Sequence, residues 1–239
     1  MKTIQFYNTV PGVSDMFPIV EAKNYKPDWI KKTKEDLVKN KTVGKNLMFC
    51  PGIFDLYKTG YIVTMWYDVV IKTEKDKPGF SWQVANSSLG HLTNIKFIDT
   101  HADNISKHIP RRKGTIESIV KINTTWNIIV PDNLKFLCIP ICYPDHHNYE
   151  SYTGILDPSM SSEINIQLMW NVDDGEILIK AGTPLMHLIP LSDETYDLQC
   201  RDATEKDLIW TRKLEYFKTF SFTPVRNIIQ KLYKSYFKK

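Results

Sequence analysis

The chain has 239 residues, of which 42% are hydrophobic and 24% charged, with a formal net charge of +4. That composition fits a globular chain with one large domain or two small ones. It excludes a disulfide framework, with four cysteines in this length, and a helical membrane protein, since no apolar run reaches the length of a span.

The opening "MKTIQFYNTVPGVSDMF" has neither the apolar core nor the small-residue cleavage site of a secretory leader. An intracellular protein with reduced thiols is expected. "TIQFYN" reads as a short strand, and the Pro and Gly that follow break any helix. Lys26 to Asn40 forms a short helix with Trp29, Ile30 and Leu37 inward, inside a lysine-rich stretch. Lys45 to Thr73 reads as strand, turn, strand, with β-branched and aromatic residues dense from Tyr61 to Ile71. A further strand is expected around Phe80 to Val84, then a loop, "NSSLGHLTN". Alternating Tyr57, Tyr61, Trp66, Tyr67 and Trp82 suit core packing, although a platform for single-stranded nucleic acid uses the same residue types.

From Glu117 the strand signal thickens. Candidates are Ile119–Ile122, Trp126–Val130, Phe136–Ile141, Ile164–Trp170, Glu176–Ile179 and Pro184–Leu191, separated by turn signals such as "PDN", "DDG" and "AG". Short strands at this spacing predict a mainly β fold, a β-sandwich or distorted β-barrel. The predicted division is a single β-rich domain over 1–200 and a helical extension over 201–239 packed on it. In the extension, Thr204 and Asp207 form a capping box with Asp in place of Glu, and Leu208, Ile209, Leu214 and Phe217 share a side. A second helix has Thr223 at its N-cap and Pro224 at N1. Its apolar stripe is Val225, Ile228, Ile229, Leu232, Tyr233 and Tyr236, and its other face carries Arg226, Lys231, Lys234 and Lys238. That face is either solvated or a contact for nucleic acid, a membrane surface or a partner protein.

Three constellations bear on chemistry. "HAD" at His101–Asp103 has the His-x-Asp spacing of a non-haem iron facial triad. His187 or His147 would complete it, and Arg201 would anchor 2-oxoglutarate, giving an Fe(II)-dependent oxygenase. "CIPIC", Cys138 to Cys142, with His146 and His147 nearby, is a loose zinc half-site, but its cysteines sit two strand steps apart on one apolar face. "PRRKG", Pro110 to Gly114, is a short basic loop. There is no nucleophile elbow, phosphate loop or dinucleotide fingerprint.

"IIVPDNLKFLCIPI" (Ile128–Ile141), "GILDPSMSSEINIQL" (Gly154–Leu168) and "ILIKAGTPLMHLIPL" (Ile177–Leu191) resemble, in order and spacing, the strand motifs of the dUTPase-like β-fold. That group holds dUTP diphosphatases and dCTP deaminases. The resemblance implies dUTPase-like topology in the second half and puts Asp157 where the diphosphatases activate water. Met160 stands where they stack an aromatic on the sugar, and Ser162 where they have a glycine. Gln167 aligns with the glutamate of the deaminases, and an amide cannot shuttle a proton. The preceding loop, "CYPDHHNYESYTG", lacks their phosphate-holding arginine and carries Asp145 and Glu150. Asp157 is then a turn or cap residue.

"FYNTVPGVSDMFPI", "CPGIFDLYKTGYIVTMWYDVVI", Ser81–Trp82 and "GTPLMHLIPL" look like an uncharacterised protein family of tailed phages, often marine, and of some bacteria. The resemblance implies a phage-encoded, non-enzymatic accessory or structural protein. No cofactor is expected outside the iron alternative. Partners would be further copies of the chain or another phage protein, in the cytoplasm of the infected host or in the virion.

Overall fold

The structure is a computed structural model that describes residues 2–40, 49–75, 77–85, 96–101, 105–131, 133–218 and 222–237. In chain order the elements are β1 (Lys2–Asn8), α1 (Val13–Met16), β2 (Val20–Glu21), α2 (Asp28–Asn40), α3 (Pro51–Leu56), β3 (Tyr61–Thr64), β4 (Val69–Thr73) and β5 (Ser81–Val84). There follow β6 (Ile98–Thr100), β7 (Val120–Ile129), β8 (Phe136–Ile139), β9 (Tyr149–Ser151), β10 (Gly154–Leu156), β11 (Glu163–Trp170), β12 (Gly175–Ile179), β13 (Pro184–Pro190), β14 (Tyr196–Asp202), α4 (Glu205–Lys218) and α5 (Phe222–Phe237).

The protein is mainly β. One sheet runs β14-β1-β7-β11-β9, with β6 also on β7; a second runs β10-β8-β13-β3-β2; a third is β12-β4-β5. None of these described sheets closes on itself, so the barrel alternative falls. The three share one hydrophobic cluster, in which Phe6 of the first sheet meets Tyr61 of the second edge-on at 5.4 Å. In β11 the alternation is complete: Ile164, Ile166, Leu168 and Trp170 are buried and the residues between them are not.

Three readings need revision. Tyr61–Ile71 is two strands, because residues 65–68 carry the chain from the second sheet to the third. The segment between β12 and β13 lies against it: Met65 N–H donates to Thr183 O at 2.8 Å, and the Asp68 side chain accepts through Oδ1 from Ala181 N at 2.6 Å. Conversely, the two strands expected over Ile119–Val130 are one, β7, bent at Thr125, whose φ is 58°. Polar side chains hold the bend: half-buried Asn123 accepts through Oδ1 from Thr125 N at 2.9 Å, and the buried Thr125 hydroxyl donates to Asn8 Oδ1 at 2.9 Å. Pro51–Leu56, read as a turn, is a short helix with Pro at its start, where a missing N–H costs nothing. The strand expected before it and "NSSLGHLTN" fall largely outside the described residues.

The capping box is present, with Thr204 N donating to Asp207 Oδ2 at 2.8 Å and Asp207 N to Thr204 Oγ1 at 3.3 Å. In α4 Trp210 and Leu214 face inward while Ile209 is exposed. In α5 Ile229 and Tyr233 are buried, whereas Ile228 points to solvent. Trp210 packs on Tyr233 and Phe237 at 5.9 and 5.4 Å. Tyr233 Oη accepts from Val130 N at 3.1 Å, which fastens α5 to the end of β7. Among the described residues no helix is long and apolar enough to cross a membrane.

Candidate functional site

The segment singled out by its sequence, Gly154–Leu168, is a corner between sheets. β10 pairs with β8 in the second sheet, Gly154 opposite Cys138 and Leu156 opposite Phe136. β11 pairs with β7 and β9 in the first. Asp157 makes the corner. Its Oδ1 accepts from Ser159 N at 3.1 Å, and its carbonyl accepts from Met160 N at 2.9 Å and Ser161 N at 3.0 Å. The Ser159 hydroxyl donates to the same Oδ1, and Lys135 Nζ lies 3.4 Å from Oδ2. Both carboxylate oxygens are therefore engaged in an Asx turn and an ion pair.

Ser162 is fully buried, its hydroxyl donating to Asn127 Oδ1 at 3.2 Å and its carbonyl accepting from Ile128 N at 2.8 Å. Gln167 places Nε2 3.1 Å from His101 Nε2. Met160 is half-buried. The cleft at this corner, lined by Tyr152, Ile155, Glu163, Asn165, Gln167 and Met186 among others, has about 200 Å³, against a lower limit of about 300 Å³ for small-molecule pockets. Asn165 Oδ1 is buried in it without a partner.

The residues read as an iron triad have separate engagements. His101 follows β6 and meets Gln167 of the first sheet. His187, 1% exposed, sits in β13 opposite Ile62 and Ile139 of the second sheet, its Nε2 donating to Thr59 O at 2.6 Å. Burial lowers its pKa, outweighing the Thr59 bond, and keeps the ring neutral. Asp103 lies outside the described residues. His147 is exposed. Arg201 places its terminal nitrogens 2.6 and 3.3 Å from the two oxygens of Asp207. Burial pushes the Cys138 thiol up to about 11 and raises Cys142 also, which opposes thiolate formation. Among the described residues no group of three His, Cys, Asp or Glu is placed to hold a metal.

Of the basic residues, Lys231 and Lys234 are exposed on α5; the side chain of Arg226 and all of Lys238 lie outside the described part. In "PRRKG", Arg111 donates to Ser106 O at 2.9 Å and Arg112 pairs with Glu150 at 3.3 Å. Tyr57, Tyr61, Trp66 and Tyr67 are buried, while Trp82 is 39% exposed on β5. Tyr149–Ser151, read only as loop, is strand β9 and lines a larger cavity than the Asp157 corner does. Its signal was the alternation of Tyr149, Glu150 and Ser151, too short to separate from the polar residues around it.

No family model matches the chain, and no curated protein matches it. Among solved structures it is similar to a native EIAV dUTPase, at 17% identity and a TM-score of 0.30, over 58% of this chain and 83% of that one. The class rests on the strand pairings above, those of a mainly β protein of three sheets.

Proposed function

We propose that this is a phage-encoded, non-enzymatic accessory or structural protein built on a dUTPase-like frame. One observation supports the reading above the others: the carboxylate of Asp157 is engaged by Ser159 and Lys135, the contacts of a turn residue. Gln167 brings an amide, and no Arg or Lys is among the residues lining the cleft, which leaves little to neutralise a triphosphate there. The phage origin rests on the sequence resemblance. In this reading the partners are further copies of the chain or another phage protein, in the host cytoplasm or the virion.

The test is incubation of purified protein with dUTP and with dCTP, each with Mg²⁺, followed by chromatography of the nucleotides. The expected result is no product above a heat-inactivated control. Product that disappears in Asp157→Asn overturns the proposal. The same residue gives a stability prediction. Asp157→Ala removes the Asx-turn acceptor and should cost about 1 kcal/mol in urea unfolding, with Asp157→Asn costing less because an amide oxygen can still accept.

A further inference from the structure

A cavity of about 460 Å³ opens among the loop after β8, strand β9 and the start of β13, inside the range of about 300–1,000 Å³ typical of small-molecule sites. Its wall is aromatic. The His146 ring lies 4.4 Å from that of Tyr149, which stacks on Trp170 at 5.5 Å and 7°. Two polar atoms of residues lining it are buried without a hydrogen-bond partner: Ser151 Oγ, on a residue 1% exposed, and His146 Nδ1. Buried polar groups are rarely left so, and such an atom beside a cavity calls for a partner supplied from outside the chain.

The loop is held against its own backbone preference. Tyr143 has φ 53°, which L side chains disfavour. Its ring packs on Trp29 at 5.8 Å, and the Tyr57 hydroxyl donates to the Cys142 carbonyl beside it. At the rim Arg112 and Glu150 pair at 3.3 Å, and Asp145 adds one negative charge, which disfavours an anionic ligand. Burial, outweighing the nearby Asp145, lowers the His146 pKa and favours the neutral ring. A neutral imidazole offers one donor and one acceptor, and a serine hydroxyl offers either.

We infer that this cavity binds a small, uncharged heteroaromatic molecule, which lies against the His146 and Tyr149 rings and hydrogen-bonds along one edge to Ser151 Oγ and His146 Nδ1. The site is separate from the Asp157 corner and requires no chemistry of the protein.

Indazole is a suitable probe, with an N–H donor and a nitrogen acceptor side by side on a neutral bicycle; benzoate is the anionic comparison. Titration calorimetry on the full chain should show saturable one-site binding of indazole, with benzoate at least tenfold weaker. Ser151→Ala should weaken indazole binding at least tenfold while leaving Tm unchanged or raised, because the hydroxyl it removes bonds to nothing in the protein. His146→Phe, which keeps a ring but loses Nδ1, should weaken binding likewise. Absence of saturable binding up to the solubility of indazole overturns the inference, as does benzoate binding equally well. So does either variant binding indazole like the unaltered protein while retaining its fold.

Discussion

Alanine at Gly60 is expected to cost about 2–5 kcal/mol, combining about 1–2 for a left-handed backbone with about 1–3 for overpacking. Gly60 has φ +86°, and a Cβ built on it would lie 2.1 Å from the Leu188 carbonyl oxygen and 3.1 Å from Ile189 Cα. Those are backbone atoms of β13, which cannot step aside without disturbing β3 and β8 on either flank. The Gly60 carbonyl also accepts from Ala22 N at 2.8 Å, and the preceding Thr59 carbonyl accepts from His187. Displacement there disturbs the second sheet and a buried histidine together. Gly52 in α3 is the control: it has no atom within 4 Å of a built Cβ and no positive φ. Gly52→Ala should be neutral or stabilise by about 0.5–1 kcal/mol. Urea midpoints at constant m measure both, and equal midpoints for the two variants would falsify the account.

Asp207→Ala should be comparably damaging, at about 3 kcal/mol, near the lower end for breaking a buried ion pair. The Asp207 side chain is 3% exposed, while Arg201 at 25% keeps some access to water. The loss has two parts, since Asp207 receives the Arg201 guanidinium and also caps α4 through Thr204 N and Oγ1. Asp207→Asn should recover the capping part alone. Burial by itself would raise the carboxyl's pKa, but Arg201 and Thr204 together hold it below its ordinary value of 3.8. A depressed folded pKa contributes stability that is full above the unfolded value and is lost as pH falls through the folded one. The gap between unaltered protein and Asp207→Ala should therefore be widest near neutral pH and narrow below 3.8. A gap that stays constant from pH 7 to strong acid would remove the ion pair from the explanation.

What was legible in the sequence was local. The period-two pattern of Ile164 to Trp170 located β11 to within one residue, and the spacing of Thr204 and Asp207 gave the start of α4. β14 escaped because "YDLQCRD" has no fully buried side chain, with Asp197 and Gln199 exposed and the rest half-buried, and its partner β1 is remote in sequence. The break between β3 and β4 escaped for a similar reason. Met65 to Tyr67 are as apolar and aromatic as the strands beside them, and what interrupts them is the backbone of residues 181–183. At the Asp157 corner the turn was visible, since Asp before Pro158 and Ser159 bonds locally. The ion pair with Lys135 and the contact of His101 with Gln167 were not visible, because both join distant parts of the chain.

The parallel pairing of β1 with β14 has a consequence for how the molecule is made. Lys2 lies opposite Tyr196 and Asn8 opposite Asp202. On its other edge β1 meets β7 only from Trp126 to Ile129. At roughly 5–20 residues per second, a ribosome takes on the order of ten seconds or more to reach β14 after β1 has emerged. Ile4, Phe6 and Tyr7, fully enclosed in the finished protein, wait through that interval with one side of their strand unpaired. Exposure of the newborn chain to aggregation is thus governed by the pace of translation and by whatever chaperone covers that strand, and hardly at all by the stability of the completed fold.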